Sequence, residues 1–548
     1  MKRPRVLHPF LLAIFPVLFL FAQNQKELQP GVIVIPLAVV LGFVIVTYFL
    51  LSALWIRGTK AGIVVSVFLI LWFSYGRVVA GGERLLKSRN IFGGGDLVVL
   101  LFVYFVWSLL FVRTLYWIRK PEKEFYNVTK FLNVLGGSLI CVTLIQIALS
   151  GVRSRHTVSP DSFRAPMSNL GRPEIPQSRP DIYYFILDGY GRADVLRRVF
   201  NYDNRSFLNS LTRRGFFVAE ESRSNYVQTG LSLASSLNMD YLDELLTITP
   251  ERDDRRPLEQ LILSSRVVAF LKERGYRTIS FPSGYSISDL KTADSFLTEG
   301  AGLNQFQSVL IDTTPLPELL PGLDLFSSVP GLGMHLRNLR YFDPYESKRR
   351  RVLYALGKTP ELAKAKGPKF VFVHVLVPHP PFVFGKSGEP RRPNQPFSFD
   401  DGDAFMRHAS EREYADGYTE QLEFTNTMVL QMVDRLLAAS PHPPVIILQS
   451  DHGSGLGLEW EDPEVTDLPE RLSILNAYYF PGGEGGLYEA ITPVNTFRVV
   501  FNQYFGADFE LLPDRSYFST WSHPYKFIDV TSKTSPLATG SPSSPLQK

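Results

Sequence analysis

Three apolar segments of the chain end in side chains that are able to bind a metal ion. FILDGYGR carries Asp188, FVHVLVPHPPF carries His374 and His379, and LQSDHGSG places Asp451 beside His452. Carboxylates and imidazoles that arrive from separate strands suit a divalent cation such as zinc or manganese, and none of these segments offers a thiolate. The pattern therefore predicts a metal site built from residues that are far apart in the chain.

A fourth segment, YVQTGLSLASSLN, supplies a candidate nucleophile. It places Thr229 at the start of a predicted helix, where the helix dipole and free backbone N–H groups favour an oxyanion. A threonine hydroxyl is a weak nucleophile at its ordinary pKa, so a cation held by Asp188, Asp451 and His452 would be needed to activate it. Each residue also has a plain structural interpretation, since Asp188 precedes a glycine in a turn and Thr229 fits an ordinary helix N-cap.

The elements that must position these residues alternate along the chain between strands and helices. Short apolar runs rich in β-branched residues predict strands, and longer amphipathic runs predict helices. This alternation favours an α/β fold with a mostly parallel sheet sandwiched by helices, in which ligands gather beyond the carboxyl ends of the strands. The predicted strands include 181–187, 277–281, 369–377 and 444–449, and the predicted helices include 204–214, 265–274 and 413–438.

The first 150 residues are strongly apolar and predict a transmembrane anchor of five helices. Basic residues before the first hydrophobic window, and in the loops after the second and the fourth, favour a cytoplasmic amino terminus, although the loop 84–89 opposes it. Five spans would then deliver the rest of the chain outside the cytoplasm. We therefore expect an integral protein of the cell (inner) membrane with an extracytoplasmic catalytic domain. The windows lie at about 7–22, 31–55, 62–80, 96–118 and 130–150.

Composition divides the remainder of the chain and excludes several classes of protein. The net charge is only +4, and no basic stripe interleaved with aromatic residues occurs, so no nucleic-acid partner is expected. The single cysteine, Cys141, lies in an apolar window and excludes a disulfide framework or a cysteine zinc site. Residues 151–180 predict a linker, 181–530 one large domain, and 531–548 a disordered tail.

The order of these motifs resembles the alkaline phosphatase and sulfatase superfamily, in particular its membrane-bound branch of lipoteichoic acid synthases and phosphoethanolamine transferases. YYFILDGYGR, YVQTGLSLASSLN and SDHG carry the resemblance, which covers about 181–505. It implies an alkaline phosphatase-like fold and a transiently phosphorylated nucleophile. It further implies one metal ion bound by Asp188, Thr229, Asp451 and His452.

The resemblance also implies roles for two further histidines. His379 would contact the substrate or the leaving group, and His374 would be a companion in substrate binding. Two-metal alkaline phosphatases need another aspartate and two more histidines, for which only His374, His379 and His523 are obvious spares, so a single zinc or manganese ion is expected. The C/S-x-P-x-R motif of true sulfatases is missing, so sulfate ester hydrolysis through formylglycine is not expected.

Together, these features predict a membrane-anchored, metal-dependent phosphotransferase. It would move a phospho-substituted group from a membrane lipid donor to Thr229, and then to a glycan or lipid acceptor of the cell envelope. Tethering to the bilayer would raise the local concentration of the donor. One alternative is hydrolysis of a phosphoric or sulfuric ester by the same chemistry, and another is a non-catalytic membrane protein whose outer domain binds glycans.

Overall fold

The structure, a computed structural model, divides into two compact units. The first comprises Met1–Thr157, Gly300–Lys348 and Arg392–Ser398, and the second comprises Val158–Glu299, Arg349–Arg391 and Phe399–Lys548. Most of the predicted linker and tail falls outside the described residues, apart from 151–153, 179–180 and 531–534. The residues described are 4–54, 56, 58–88, 95–153, 179–245, 252–300, 303–322, 343–393, 397–483 and 485–534.

The amino-terminal part of the first unit consists of apolar helices, as the hydropathy pattern predicts. These are α1 (His8–Asn24), α2 (Val34–Leu54), α3 (Thr59–Ser88), α4 (Gly95–Trp117) and α5 (Tyr126–Arg153). Four helical segments are long and apolar enough to cross a membrane, whereas α1 is a shorter apolar helix of 17 residues. Many large apolar side chains of α2, α4 and α5 are exposed, as expected of helices that face lipid. The prediction of an apolar helical anchor is confirmed, with four to five helices.

The second unit is built on a seven-stranded sheet. Its strand order is β2-β7-β6-β1-β5-β3-β4, in which β6, β1, β5, β3 and β4 run parallel and β7 runs antiparallel to both of its neighbours, β6 and β2. The strands are β1 (Ile182–Leu187), β2 (Phe217–Val218), β3 (Arg277–Ser280), β4 (Ser295–Phe296), β5 (Lys369–Val375), β6 (Val445–Gln449) and β7 (Asn476–Tyr479), with β8 (Tyr517–Phe518) and β9 (Ile528–Asp529) forming a separate pair.

The helices that follow α5 belong mainly to the second unit. In chain order they are α6 (Ala193–Phe200), α7 (Arg205–Arg213), α8 (Thr229–Ser236), α9 (Leu242–Leu245), α10 (Arg256–Leu263), α11 (Arg266–Glu273), α12 (Gln305–Asp312), α13 (Leu316–Gly322), α14 (Pro344–Lys358), α15 (Asp403–Met406), α16 (Glu411–Ala439), α17 (Leu468–Leu472) and α18 (Pro493–Phe505). Short 3-10 helices lie at Pro30–Ile33, Glu122–Phe125, Ser286–Ser288, Thr359–Lys364 and Thr531–Lys533.

The sheet is covered on both faces because its central strand is apolar throughout. Every residue of β1 is buried, and successive side chains of a strand point to opposite faces. Ile182, Tyr184 and Ile186 pack in one core with Phe497 of α18 and Leu231 of α8. The predicted mostly parallel, helix-flanked sheet is confirmed, with one reversed strand, β7, next to the edge strand β2.

Part of the long insertion after β4 belongs to the first unit. Phe306 and Leu310 of α12 pack with Leu20 of α1 in one apolar cluster. The backbone N–H of Gly76 in α3 donates to the carbonyl of Thr313, which follows α12. A Cβ atom at Gly76 would lie 2.5 Å from the carbonyl oxygen of Asp312. Glycine at position 76 therefore permits this close approach.

Candidate active site

Asp188 lies at the carboxyl end of β1, in the centre of the sheet. Its backbone N–H donates to the carbonyl of Val375 at the end of β5 (3.1 Å), and Gly189 next to it has φ of +74°, which allows the chain to turn sharply. The carboxylate is buried. Its Oδ2 accepts a hydrogen bond from Nε2 of His374 (3.1 Å), whereas Oδ1 makes no hydrogen bond to any described residue.

Asp451 and His452 follow β6, the neighbour of β1 in the sheet. Oδ1 of Asp451 accepts from the backbone N–H of Gly189 (3.3 Å), while its buried Oδ2 has no hydrogen-bond partner within the described ranges. Nδ1 of His452 lies 2.9 Å from the carbonyl oxygen of Gly453. Because a carbonyl can only accept, Nδ1 carries the proton and Nε2 of the neutral ring presents a lone pair.

Thr229 is the first residue of α8, and Gln228 before it is the N-cap. The helix is held against the sheet by buried residues of the main core, including Leu231 and Leu233. The hydroxyl Oγ1 of Thr229 lies 3.1 Å from Nε2 of His452, and the residue is only partly buried. This position combines solvent access with the positive end of a helix.

These groups converge on Nε2 of His452. Oδ2 of Asp451 lies 3.3 Å and Oδ1 of Asp188 lies 3.5 Å from that nitrogen. They are the same two carboxylate oxygens that have no hydrogen bond among the described residues. Burying two carboxylates so close together destabilises the folded state unless a positive charge compensates them. Together with Nε2 of His452 and the Thr229 hydroxyl, the two carboxylate oxygens form an N/O donor set that fits a divalent ion such as zinc or manganese.

The ionisation of this cluster is suited to cation binding. Burial raises the pKa of Asp188, but the positive charges that His379 and His452 carry when protonated, and the hydrogen bond from His374, outweigh it and hold that pKa well below its ordinary value. Burial and the Arg471 guanidinium lower the pKa of His452. At neutral pH the carboxylate is therefore charged and the His452 ring is neutral.

The two other predicted histidines contact different atoms of Asp188. His374 is fully buried in β5, where Nδ1 lies 2.7 Å from Oγ of Ser288 and Nε2 donates to Asp188. Burial lowers its pKa, and the Asp188 carboxylate more than offsets this, so the pKa is raised. The backbone N–H of His379 donates to the carbonyl of Asp188 (3.0 Å), and its ring centroid is 5.9 Å from that of His452.

Two residues near the site were not anticipated from the sequence. Asp401 is buried, accepts hydrogen bonds from Arg471 (2.6 Å) and from the hydroxyl of Tyr414 (2.8 Å), and lies 3.7 Å from Nε2 of His379. Arg471 also donates to the carbonyls of Val227 (2.9 Å) and Gly453 (3.2 Å). Asp401 falls in the segment FSFDDGDAF, where nothing in the spacing distinguishes one aspartate from its neighbours.

Comparison with known proteins places the chain in a family. The family model described as Sulfatase matches residues 182–500, which is more than half of the chain. No curated protein matched the chain.

Solved structures are similar at low sequence identity. The C-terminal periplasmic domain of EcEptC from Escherichia coli is 12% identical, with 67% of this chain and 96% of that chain covered and a TM-score of 0.40. Lipooligosaccharide phosphoethanolamine transferase A (EptA) from Neisseria meningitidis is 12% identical, with 92% of this chain and 96% of that chain covered and a TM-score of 0.38. The family match shows that the chain belongs to the sulfatase family, as an enzyme of the alkaline phosphatase superfamily.

Proposed function

We propose that this protein is a membrane-anchored, metal-dependent phosphotransferase that acts through a covalent intermediate on Thr229. One observation carries the proposal. Buried carboxylate oxygens of Asp188 and Asp451, without hydrogen bonds among the described residues, face the same imidazole nitrogen as the Thr229 hydroxyl. A divalent ion held there would lower the pKa of the hydroxyl and stabilise negative charge on a phosphoryl group.

The surrounding residues have distinct roles in this proposal. Asp188, Asp451 and the neutral ring of His452 hold one ion, zinc or manganese, while the start of α8 supplies backbone N–H groups for the phosphoryl oxygens. His379 is assigned to the substrate or leaving group, since its ring borders the site. His374 is assigned to orienting Asp188, because Ser288 and Asp188 engage both of its ring nitrogens.

The substrates follow from the anchor and from the site. We assign residues 1–150 to the anchor, 151–180 to a linker, 181–530 to an extracytoplasmic catalytic domain and 531–548 to a tail. The donor is a membrane lipid that carries a substituted phosphate, because an enzyme held in the bilayer meets such a lipid at high local concentration. The acceptor is a glycan or lipid of the cell envelope.

Intact-mass measurement of the full chain purified with membrane lipids tests the intermediate. Wild type is expected to carry an adduct whose mass equals the transferred phospho group, and Thr229→Ala is expected to carry none. Thr212→Ala, which removes an exposed hydroxyl on α7, is the matched control and should keep the adduct. An adduct of equal amount on Thr229→Ala would exclude Thr229 as the nucleophile.

Hydrolysis by the same residues is the second candidate function, since Thr229 is partly exposed and therefore accessible to water. It differs from transfer only in the final acceptor. Release of the free phospho group at the same rate with and without an envelope acceptor would assign the enzyme as a hydrolase. Product formation that depends on the acceptor would assign it as a transferase.

A further inference from the structure

A partly exposed tryptophan lies in the loop that follows β8. The side chain of Trp521 is 37% exposed. The guanidinium of Arg255 lies 3.9 Å from the centroid of its ring, and the ring of Trp460 packs edge-on against it at 5.0 Å and 63°. The ring thus packs against two side chains, and more than a third of the residue's surface stays accessible to a ligand.

One set of hydrogen bonds ties this tryptophan to the candidate nucleophile. Arg255 donates to the carbonyl of Trp521 (2.7 Å) and to the side-chain oxygen of Gln228 (3.0 Å). The side-chain amide of Gln228 donates to the carbonyls of the two residues that precede Trp521 (3.2 and 3.1 Å). Gln228 is the N-cap of α8 and directly precedes Thr229. The tryptophan loop is therefore fixed to the start of the nucleophile helix.

A second set of contacts ties the same loop to Asp401, which lies beside His379. The backbone N–H of Trp521 donates to the carbonyl of Trp460 (3.2 Å). The indole N–H of Trp460 in turn donates to the carbonyl of Asp401 (2.9 Å), whose carboxylate lies 3.7 Å from His379. Trp521 consequently stands at the rim of the site rather than on a remote surface.

The groups around Trp521 indicate the chemical class of the ligand. The next two residues in the chain, Ser522 and His523, are exposed and polar, and Ser522 donates to the exposed carboxylate of Glu461, which follows Trp460. An acyl chain needs contiguous apolar surface, which this polar rim does not provide. A cationic head group is disfavoured because Arg255 already places a positive charge on the ring.

A sugar ring matches these features. One face of a pyranose consists of C–H groups that pack on an aromatic ring, and its hydroxyls point outward to polar neighbours. Among the described residues, the indole N–H of Trp521 makes no hydrogen bond, so it can donate to a sugar hydroxyl. The carboxylate of Glu461 and the imidazole of His523 add an acceptor and a further polar partner.

We propose that Trp521, held between Arg255 and Trp460, is the subsite for a saccharide acceptor. This inference rests on the proposed function, because it supplies the acceptor for the phospho group on Thr229. In the transfer step, a sugar hydroxyl oxygen forms a bond to phosphorus, the bond between phosphorus and Oγ1 of Thr229 breaks, and the hydroxyl proton passes to that threonine oxygen. The subsite holds the sugar ring beside the start of α8 while this exchange occurs.

Binding and transfer by the full chain in lipid nanodiscs test the subsite. The acceptor probe is a glucosamine disaccharide, and the donor probe is a fluorescent phosphatidylethanolamine. Trp521→Ala is expected to raise the dissociation constant and the KM for the disaccharide by about tenfold or more. Trp521→Phe keeps an aromatic face and should recover most of the loss. Leu511→Ala, at a side chain of similar exposure (38%), should bind the disaccharide like wild type.

The two proposals fail in different ways. If Thr229→Ala cleaves the donor probe as wild type does, the proposed function fails, whatever the sugar affinity. If Trp521→Ala binds the disaccharide as tightly as wild type in calorimetry without donor, the subsite is overturned even when Thr229 is required. Absence of any disaccharide binding by wild type also overturns it. Calorimetry needs no turnover, so either result decides the subsite when the donor probe is not cleaved.

Discussion

The ring of His374 is engaged on both sides behind the candidate metal site. It donates to Asp188 and contacts Ser288, and it is only 1% exposed. Residues that orient a metal ligand in this way typically affect metal affinity by roughly 10- to 100-fold. We therefore expect His374→Gln to weaken zinc binding by about that factor, measured by competition with a chromophoric chelator.

His442→Gln is the matched control, because that histidine is exposed in the loop before β6. Its zinc affinity should equal that of wild type. If His374→Gln retains full zinc affinity but loses turnover, then His374 acts on the substrate, as the motif order alone suggested, and the orienting role is wrong.

The conformation of the loop after β6 requires a glycine at position 453. A Cβ atom at Gly453 would lie 2.0 Å from the carbonyl oxygen of Glu470 and 3.0 Å from that of Ser473. Both neighbours are backbone atoms, so relief requires movement of the segment that carries His452. Gly453→Ala should therefore lower the free energy of unfolding by about 2 kcal/mol and reduce bound zinc, as measured by fluorescence-monitored thermal unfolding and metal analysis.

Gly357→Ala is the control for the Gly453→Ala substitution. Gly357 lies in α14 with no heavy atom within 4 Å of the added Cβ and no positive φ. Its replacement should be neutral or stabilising by up to about 1 kcal/mol. Equal unfolding temperatures for Gly453→Ala and wild type would show that the loop after β6 adapts without cost.

Prediction from sequence succeeded where one element carries a strong local signal. β1, β5 and β6 are buried apolar runs, and parallel pairing brings their carboxyl ends to one edge, so Asp188 and Asp451 could be expected near each other. β7 pairs antiparallel between β6 and β2 and has no such run, and the edge strand β2 consists of only the two residues that pair with it. Asp401 lies in a polar loop and Arg471 in the short helix α17, and the positions of both depend on tertiary packing.

The whole molecule combines an apolar helical unit with the sheet that carries the site. An enzyme held in the bilayer meets a lipid donor in two dimensions, so its rate should follow the mole fraction of donor in the membrane rather than the bulk amount. In vesicles at constant total donor, a tenfold dilution with inert lipid should lower the rate of cleavage of a fluorescent phospholipid donor several-fold.

A water-soluble phosphodiester is the control substrate for that measurement. Its cleavage should be unaffected by the same lipid dilution, because it reaches the site from solution. If the rate on the lipid donor is also unaffected by dilution, the anchor does not serve substrate capture, and the donor is not a bilayer lipid.

The site around His452 also brings together residues that are far apart in the chain. Thr229 and His452 are 223 residues apart, and Gly189 and Asp451 are 262 residues apart. In the denatured chain such distant points are rarely close, and bringing them together costs configurational entropy that grows slowly with separation. A bound ion would act as a reversible cross-link, whose binding free energy is in part folding free energy. Substitutions far from the ion that loosen the sheet would therefore lower its occupancy, and the metal content of a purified preparation would report how completely the domain has folded.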